Sequence, residues 1–168
     1  MNRRFPSPTA TNIVYHFPPM PQSLVKILVH IVFSTKDRRP LITPDIEPRL
    51  YAYVRGIIEN NNGRMLIAGG IADHIHLLVS IGRIDVGVLI GDIKRDSSLW
   101  IKKQGPEFAK VYWQRGYGAF SIGQSQVPSV TRYITNQKEH HKQQSWEDEF
   151  RELCGRYEVE FDERYCWD

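Results

Sequence analysis

The chain has 168 residues, 41% of them hydrophobic and 24% charged, which is the size and balance of one folded domain. The formal net charge of +3 is too small by itself to indicate a nucleic-acid-binding protein. No apolar run approaches the roughly 18 residues of a membrane-spanning helix, so we expect no membrane association. Two cysteines, Cys154 and Cys166, cannot make the disulfide framework of a small secreted protein, and we expect a cytoplasmic location.

The first 21 residues differ from the rest of the chain. They contain five prolines and no hydrophobic periodicity, which predicts that residues 1–21 form a disordered or dispensable arm. Met20 stands just before the first apolar run and is a candidate for the true translation start. Residues 22–168 are then expected to form a single domain.

A strand and a helix open this domain. Residues 24–35 are dense in β-branched side chains and predict a long buried strand. Thr43 is a plausible cap for a helix that continues to about Asn62, and Gly63 is suited to the left-handed conformation that ends a helix.

The next elements complete a recognisable order. Residues 65–71 and 75–81 predict a hairpin of two short strands. A second helix is predicted over 85–104, capped by Asp85, and a fourth strand over 111–122. The order β-α-β-β-α-β predicts an α+β, ferredoxin-like fold, in which an antiparallel sheet carries helices on one face.

Two further helices are predicted after the fourth strand. One spans about 128–143, and a short one spans about 146–154, with Ser145 as its cap. The fold is therefore expected to be a ferredoxin-like domain with additional C-terminal helices.

A pair of histidines lies in the third predicted strand, in the segment DHIHLL at 73–78. Side chains alternate across a strand, so His74 and His76 share one face while Ile75 and Leu77 point to the opposite, core-facing side. Such a pair can bind a divalent metal ion. It also arises by chance on strand surfaces, so alone it is weak evidence for a metal site.

A second pattern lies in the first C-terminal helix. Tyr133 and Gln137 are four residues apart and therefore share a helix face. The carbonyl oxygen of Gln137 suits Mg²⁺ or Mn²⁺, and a phenol beside such an ion is a candidate nucleophile towards phosphate. Considered alone, a helical tyrosine would more often simply pack its ring beneath the sheet, and it is the spacing to Gln137 and the histidine pair that favour the nucleophile.

The charges are unevenly distributed. Residues 82–116 carry seven Lys or Arg against four Asp or Glu, whereas residues 125–168 carry six against ten. The second helix and the segment after it offer a set of polar and basic side chains that could follow a phosphate backbone: Lys94, Arg95, Ser98, Lys102 and Arg115. The aromatic and glycine-rich stretch at 113–118 could admit an unstacked base, or it could be a core strand with a bulge.

Taken in order, these motifs resemble the single-tyrosine transposases of the HUH superfamily, which mobilise insertion sequences and REP elements as single-stranded DNA. The resemblance covers about residues 21–168. Its motifs are HIVFSTK at 30–36, DHIHLL at 73–78, Lys94 with Ser97 and Trp100, WQRGYGAFS at 113–121, YITNQ at 133–137, EHH at 139–141 and DERY at 162–165.

This resemblance implies a metal-dependent single-stranded DNA endonuclease and strand transferase. His74, His76 and Gln137 would bind Mg²⁺ or Mn²⁺. Tyr133 would attack a phosphodiester near a DNA hairpin, giving a 5′-phosphotyrosine and a free 3′-OH. The resemblance also implies a homodimer whose active site can be shared between subunits, in a bacterial or archaeal cytoplasm and on the nucleoid when DNA is bound.

Other functions stay open from the sequence. A domesticated relative could nick or bind DNA hairpins without mobilising an element. A non-catalytic nucleic-acid-binding module could use the same fold, with exposed aromatics on an open sheet face. A metal-dependent hydrolase is a weaker alternative, because no Asp or Glu is obviously placed to activate water.

Overall fold

The computed structural model describes residues 24–165. The predicted arm at 1–21 and Cys166 lie outside the described residues. Within residues 24–165, none of the helices combines the length and apolar character needed to cross a membrane.

Four strands form one antiparallel sheet. They are β1 (Ile27–Ser34), β2 (Arg64–Ile71), β3 (His74–Ile81) and β4 (Gly118–Ile122), and their order across the sheet is β2-β3-β1-β4. All three neighbouring pairs run antiparallel. This order, with one helix between β1 and β2 and another between β3 and β4, confirms the predicted ferredoxin-like fold.

The first two helices pack on one face of this sheet. They are α1 (Glu47–Asn60) and α2 (Val86–Lys102), and α2 begins as predicted, with the Asp85 carboxylate accepting a hydrogen bond from the Val88 amide. Alternate residues of β1 and β3 face these helices in the main hydrophobic core. The histidine-free face of β3 is therefore the core face, as the alternation predicts.

The ends of α1 differ from the prediction. The helix begins at Glu47, and Thr43 contributes its backbone carbonyl to the preceding turn while no side chain caps the helix. At the other end, Asn62 takes the left-handed conformation with φ 57°, in place of Gly63. Asparagine tolerates this region better than other residues with a Cβ, so the turn closes one residue earlier.

The predicted fourth strand is shorter than the pattern indicates. Only residues 118–122 belong to β4, while Trp113 makes an isolated bridge to Thr35 at the end of β1. The Trp113 ring packs edge-on against Phe33, with 4.9 Å between ring centroids. Trp113 is therefore a core residue.

Three C-terminal helices cover the other face of the sheet. They are α3 (Val127–Thr135), α4 (Gln137–His140) and α5 (Trp146–Arg156), so the single helix predicted over 128–143 is divided at Asn136. Their apolar side chains pack with β1, β3 and β4 in two smaller clusters.

A glycine allows α3 to approach the sheet closely. Gly69 in β2 lies opposite His76 in β3, and a Cβ at this position would collide with the backbone carbonyl of Ile134 in α3. The absence of a side chain at Gly69 therefore lets the helix that carries Tyr133 lie directly over the histidine strand.

Candidate metal and nucleophile site

The two histidines of β3 point away from the main core into the space beneath α3, α4 and α5. Both His74 and His76 are completely buried, with 0% of their surface exposed. Buried imidazole nitrogens need partners, so the contacts of each ring decide what the site can hold.

His74 is oriented by an ion pair at the hairpin turn. Oδ1 of Asp73 lies 2.8 Å from Nδ1 of His74, and Oδ2 of Asp73 lies 2.9 Å from the Arg38 guanidinium. Burial alone would raise the pKa of Asp73, but these hydrogen bonds from His74 and Arg38 hold it below its ordinary value. Because a carboxylate only accepts, Nδ1 of His74 carries the proton and Nε2 offers its lone pair to the site.

His76 is oriented by another histidine. Nε2 of His30 lies 2.9 Å from Nδ1 of His76, and among the described residues Nε2 of His76 is buried without a hydrogen-bond partner. Burial, followed by the neighbouring imidazoles His74 and His141, lowers the pKa of His76 to about 4, against the opposing effect of Glu149. His76 is therefore neutral near pH 7 and able to bind a metal ion.

Gln137 and Tyr133 project into the same space, although a break separates their helices. Oε1 of Gln137 lies 3.3 Å from Nε2 of His74, while its Nε2 donates to Oε1 of Glu149 over 2.7 Å. The Tyr133 ring stands edge-on to His76 with 5.7 Å between centroids, and its hydroxyl donates to Oε1 of Glu149. Thus the structure brings His74, His76, Gln137 and Tyr133 together.

Glu149 lies at the centre of this arrangement, and the sequence argument did not identify it. It is only 1% exposed, and its Oε2 lies 3.0 Å from Nε2 of His141 and 3.4 Å from Nε2 of His76. Burial alone would raise the pKa of Glu149, but the neighbouring imidazoles of His141 and His76 and the Tyr133 hydroxyl hold it well below its ordinary value. The Glu149 carboxylate is therefore ionised although it is buried in the centre of the site.

Its position on α5 was the available signal. Glu149 lies on the buried side of that helix, in the stripe formed by Trp146, Phe150 and Leu153. A charged residue within an apolar stripe needs a polar partner in the interior. That partner could not be named before the helix was placed over the sheet.

The same carboxylate affects the candidate nucleophile. Burial, then the charge of Glu149, raises the pKa of Tyr133. In this arrangement Tyr133 keeps its proton, held in a hydrogen bond, and its oxygen stays beside the imidazoles.

The donor set fits a divalent metal ion. One ring nitrogen from each of His74, His76 and His141 and a carboxylate oxygen of Glu149 all lie within 4.8 Å of one another. In addition, Nε2 of His74 faces the carbonyl oxygen of Gln137 at 3.3 Å, and with the neutral ring assigned above a cation between these two atoms would satisfy both. These atoms and the unpartnered Nε2 of His76 therefore suit a cation.

The predicted DNA-binding residues have different surroundings. The Lys94 ammonium donates to three backbone carbonyls, of Gln114 at 3.1 Å, Arg115 at 3.3 Å and Gly116 at 2.6 Å. Burial lowers the pKa of Lys94 to about 8. Lys94 thus fastens α2 to the segment that follows Trp113.

Two other members of this set are also engaged within the protein. Arg95 pairs with Asp92 at 2.8 Å and with Asp96 at 2.7 Å. The Ser98 hydroxyl donates to the Val111 carbonyl at 3.1 Å. Their polar groups therefore already have protein partners.

Lys102 and Arg115 lie beside a groove. The Lys102 ammonium lies 3.5 Å from the centroid of the Tyr112 ring, and Arg115 is exposed. Two adjoining cavities, of about 400 and 420 Å³, share the wall formed by residues 112–115, and Lys36 completes the first of them. We call these cavities the basic groove.

The basic groove begins near the histidine end of the sheet. The backbone N–H of Gln114 donates to the backbone carbonyl of Ser34 at 3.0 Å, and Ser34 lies opposite His74 in the sheet. A chain lying in the groove would therefore pass close to the strand end that carries His74.

The sequence is similar to those of known transposases. Residues 23–137 match the family model described as "Transposase IS200 like". The transposase for insertion sequence element IS200 of Salmonella typhimurium is 31% identical over 119 residues, covering 67% of this chain and 78% of that protein. The corresponding transposase of Salmonella typhi matches to the same extent.

Two solved structures share the fold. A protein assigned as a transposase, from Deinococcus radiodurans R1, superposes with a TM-score of 0.55 at 17% identity, covering 72% of this chain and 98% of that one. A REP-associated tyrosine transposase bound to a REP hairpin also superposes with a TM-score of 0.55, at 14% identity and with 74% of each chain covered. At these identities the likeness shows the fold.

Proposed function

The chain belongs to the IS200-like transposase family, and from this premise we propose that it cleaves and rejoins single-stranded DNA through a covalent 5′-phosphotyrosine. The supporting observation is that the Tyr133 hydroxyl lies beside a buried set of metal-binding donors within one chain. That arrangement pairs a nucleophile with groups that can hold a cation for a phosphate.

The proposed metal ligands are His74, His76 and Gln137, which would hold Mg²⁺ or Mn²⁺. When bound, the ion would neutralise charge on the non-bridging phosphate oxygens and make the phosphorus more electrophilic. Asp73 and His30 would hold the two imidazoles with their Nε2 atoms directed at the ion.

Tyr133 would carry the covalent step. Its oxygen forms a bond to phosphorus, and the bond from phosphorus to the 3′ oxygen breaks. The phenol proton leaves along the hydrogen bond that Oε1 of Glu149 already accepts, and the departing 3′ oxygen takes up a proton to become a hydroxyl. In rejoining, a 3′-hydroxyl attacks the phosphotyrosine and Tyr133 recovers its proton.

The placement of Tyr133 supports an active site formed within one chain. Tyr133 and Gln137 both hydrogen-bond to Glu149 of the same chain, and the Tyr133 ring faces His76 of that chain. We propose a homodimer, as the family resemblance implies, in which each protomer can assemble its own site.

We propose a DNA hairpin as the substrate, bound along the basic groove. The REP-associated tyrosine transposase that shares this fold was solved with a REP hairpin. Lys102, Arg115 and Lys36 offer positive charge along the groove, and Tyr112 offers an exposed ring on which a base could stack. Lys94, Arg95 and Ser98 also line the second cavity, where their polar groups already bind the protein itself.

The covered sheet distinguishes this proposal from a binding module. A nucleic-acid-binding module on a ferredoxin-like sheet presents aromatic residues on an open face. Here α3, α4 and α5 lie over that face and bury both histidines. The groove, at the strand ends, stays open to DNA.

Replacing Lys102 and Arg115 by glutamine is expected to weaken hairpin binding and reduce its salt dependence. Each lost phosphate contact should decrease the slope of log K against log salt by about 0.7 to 0.9. Fluorescence anisotropy titrations at several salt concentrations measure this slope. Lys103→Gln, one position along the chain, is the matched control, and equal slopes in all three proteins would remove the groove from the interface.

Replacing Asp73 by asparagine is expected to weaken Mn²⁺ binding about tenfold, because His74 loses its charged orienting partner. Isothermal titration calorimetry of the full chain measures the affinity. Asp96→Asn, in an exposed ion pair on α2, should bind Mn²⁺ as the unchanged protein does. An unchanged affinity for Asp73→Asn would contradict the orienting role.

The function itself is tested with single-stranded hairpin oligonucleotides taken from the flanks of the encoding gene. Incubation with Mn²⁺ or Mg²⁺ should give a protein–DNA band that survives denaturation and leaves a free 3′-hydroxyl on the other fragment. Tight hairpin binding without such a band, across all flanking sequences and both metals, would instead favour a non-cleaving binding protein.

A further inference from the structure

We infer that Glu149 and His141 are ligands of the same metal ion, so that the C-terminal helices supply a carboxylate and a third imidazole to the site. This inference rests on the proposed function, since it concerns the ion proposed there. Both residues lie after residue 137, where the match to the family model ends.

The hydrogen bonds of His141 leave the correct nitrogen free for a metal. Its Nδ1 lies 2.9 Å from the backbone carbonyl of Gln144, which can only accept, so Nδ1 carries the proton of the neutral ring. Nε2 then presents its lone pair to Oε2 of Glu149, 3.0 Å away. A positive charge between these two atoms holds them together, and it is either a second proton on His141 or the metal ion that we infer.

The two oxygens of Glu149 have separate surroundings. Oε1 accepts hydrogen bonds from Tyr133 and Gln137. Oε2 faces only imidazoles, at 3.0 Å from His141, 3.4 Å from His76 and 3.7 Å from His74. One oxygen can therefore bind an ion while the other continues to hold the nucleophile.

The burial of Glu149 favours a role as a metal ligand over an ion pair with a histidine alone. Glu149 is 1% exposed, and Nε2 of His76 beside it is fully buried and without a hydrogen-bond partner among the described residues. An ionised carboxylate and an unsatisfied imidazole nitrogen are both costly in the interior. A divalent cation shared between them satisfies both groups.

This ligand set has a consequence for metal choice. Three imidazoles with a carboxylate favour transition metals over Mg²⁺, which prefers oxygen ligands and keeps its water. We therefore expect the full chain to bind Mn²⁺ more tightly than Mg²⁺.

The test measures metal binding without DNA. Electron paramagnetic resonance titration of Mn²⁺ into the full chain should give an affinity at least about tenfold weaker for Glu149→Gln than for the unchanged protein. Glu152→Gln, the same change on an exposed position of α5, should leave the affinity unchanged. Equal affinities for all three proteins would overturn the inference.

A second variant gives a direct signature of ligation. Glu149→Cys, loaded with Co²⁺, should show a thiolate-to-cobalt charge-transfer band that the unchanged protein lacks. The unchanged protein controls for Cys154, which is buried. Bound Co²⁺ without this band would mean that position 149 does not contact the ion.

The outcomes separate this inference from the proposed function. If His76→Ala abolishes Mn²⁺ binding while Glu149→Gln retains it, the metal site stands and Glu149 only positions Tyr133. If the unchanged protein forms the covalent DNA adduct with no metal bound, the proposed metal role fails together with the inference. If Glu149→Gln loses Mn²⁺ but the unchanged protein forms no adduct on any hairpin, the ligand role stands and the proposed reaction fails.

Discussion

Tyr133→Phe should form no covalent adduct with any hairpin oligonucleotide, and strand cleavage should fall by about 10⁴-fold or more, as expected for removal of a nucleophile. The substitution removes one oxygen and keeps the ring, which faces His76 at 5.7 Å between centroids. Denaturing gel electrophoresis with labelled DNA measures both products.

DNA affinity separates loss of chemistry from loss of binding in this variant. Tyr133→Phe should bind the hairpin within about fivefold of the unchanged protein, because the net contribution of one hydrogen bond is about 1 kcal/mol. Tyr53→Phe is the matched control, since Tyr53 stacks on Trp100 on the opposite side of the sheet. A full-strength adduct in Tyr133→Phe would assign the nucleophile to another residue.

The hydrophobic pattern of the strands was enough to predict most of the fold. The alternation in β3 correctly placed Ile75 and Leu77 in the main core and the two histidines on the other face. Side chains alternate between the two faces of a strand, so once the apolar residues face the core the histidines must face away from it. The hairpin was equally clear, since only Ala72 and Asp73 separate its strands.

Local patterns were less informative where tertiary contacts determine the backbone. The break at Asn136 has no proline or glycine to announce it, and the sequence therefore predicted one helix where there are two. Residues 111–117 have the aromatic content of a strand, yet Trp113 leaves the sheet ladder to pack on Phe33. Neither outcome follows from propensity alone.

The candidate site shows the same division. The face shared by His74 and His76 follows from strand periodicity within one short segment. The spacing of Tyr133 and Gln137 was also read correctly as bringing them together, although the helix breaks between them at Asn136. Glu149 lies on α5, far along the chain from His76 in β3, and the two meet only because α5 packs over the sheet. No local sequence rule specifies that packing.

Charge alone did not show how Lys94 is held. Lys94 is basic and lies on a helix with other basic residues, which suggested a DNA contact. The structure uses its ammonium to satisfy three carbonyls of the segment after Trp113, a role that depends on where that segment runs. Of the expected DNA-binding residues, Lys102 and Arg115 are therefore the ones chosen for substitution.

His76→Ala tests the metal requirement most directly. Metal-dependent cleavage should fall at least about 1,000-fold, because several kcal/mol of transition-state charge stabilisation would be lost with the ion. Mn²⁺ affinity should fall with it, since Nε2 of His76 lies 3.4 Å from Glu149 and has no other partner among the described residues. Cleavage assays and calorimetric titration measure the two quantities.

The same substitution also removes a buried ring, so stability has to be separated from chemistry. Truncating a buried side chain to alanine costs about 2–5 kcal/mol of unfolding free energy, whatever its function. Leu28→Ala, on the same sheet face and also buried, should lose comparable stability and keep cleavage. If both variants lose cleavage in proportion to their unfolding free energies in urea, His76 is a packing residue. If His76→Ala alone becomes inactive while still folded, the imidazole acts through the metal.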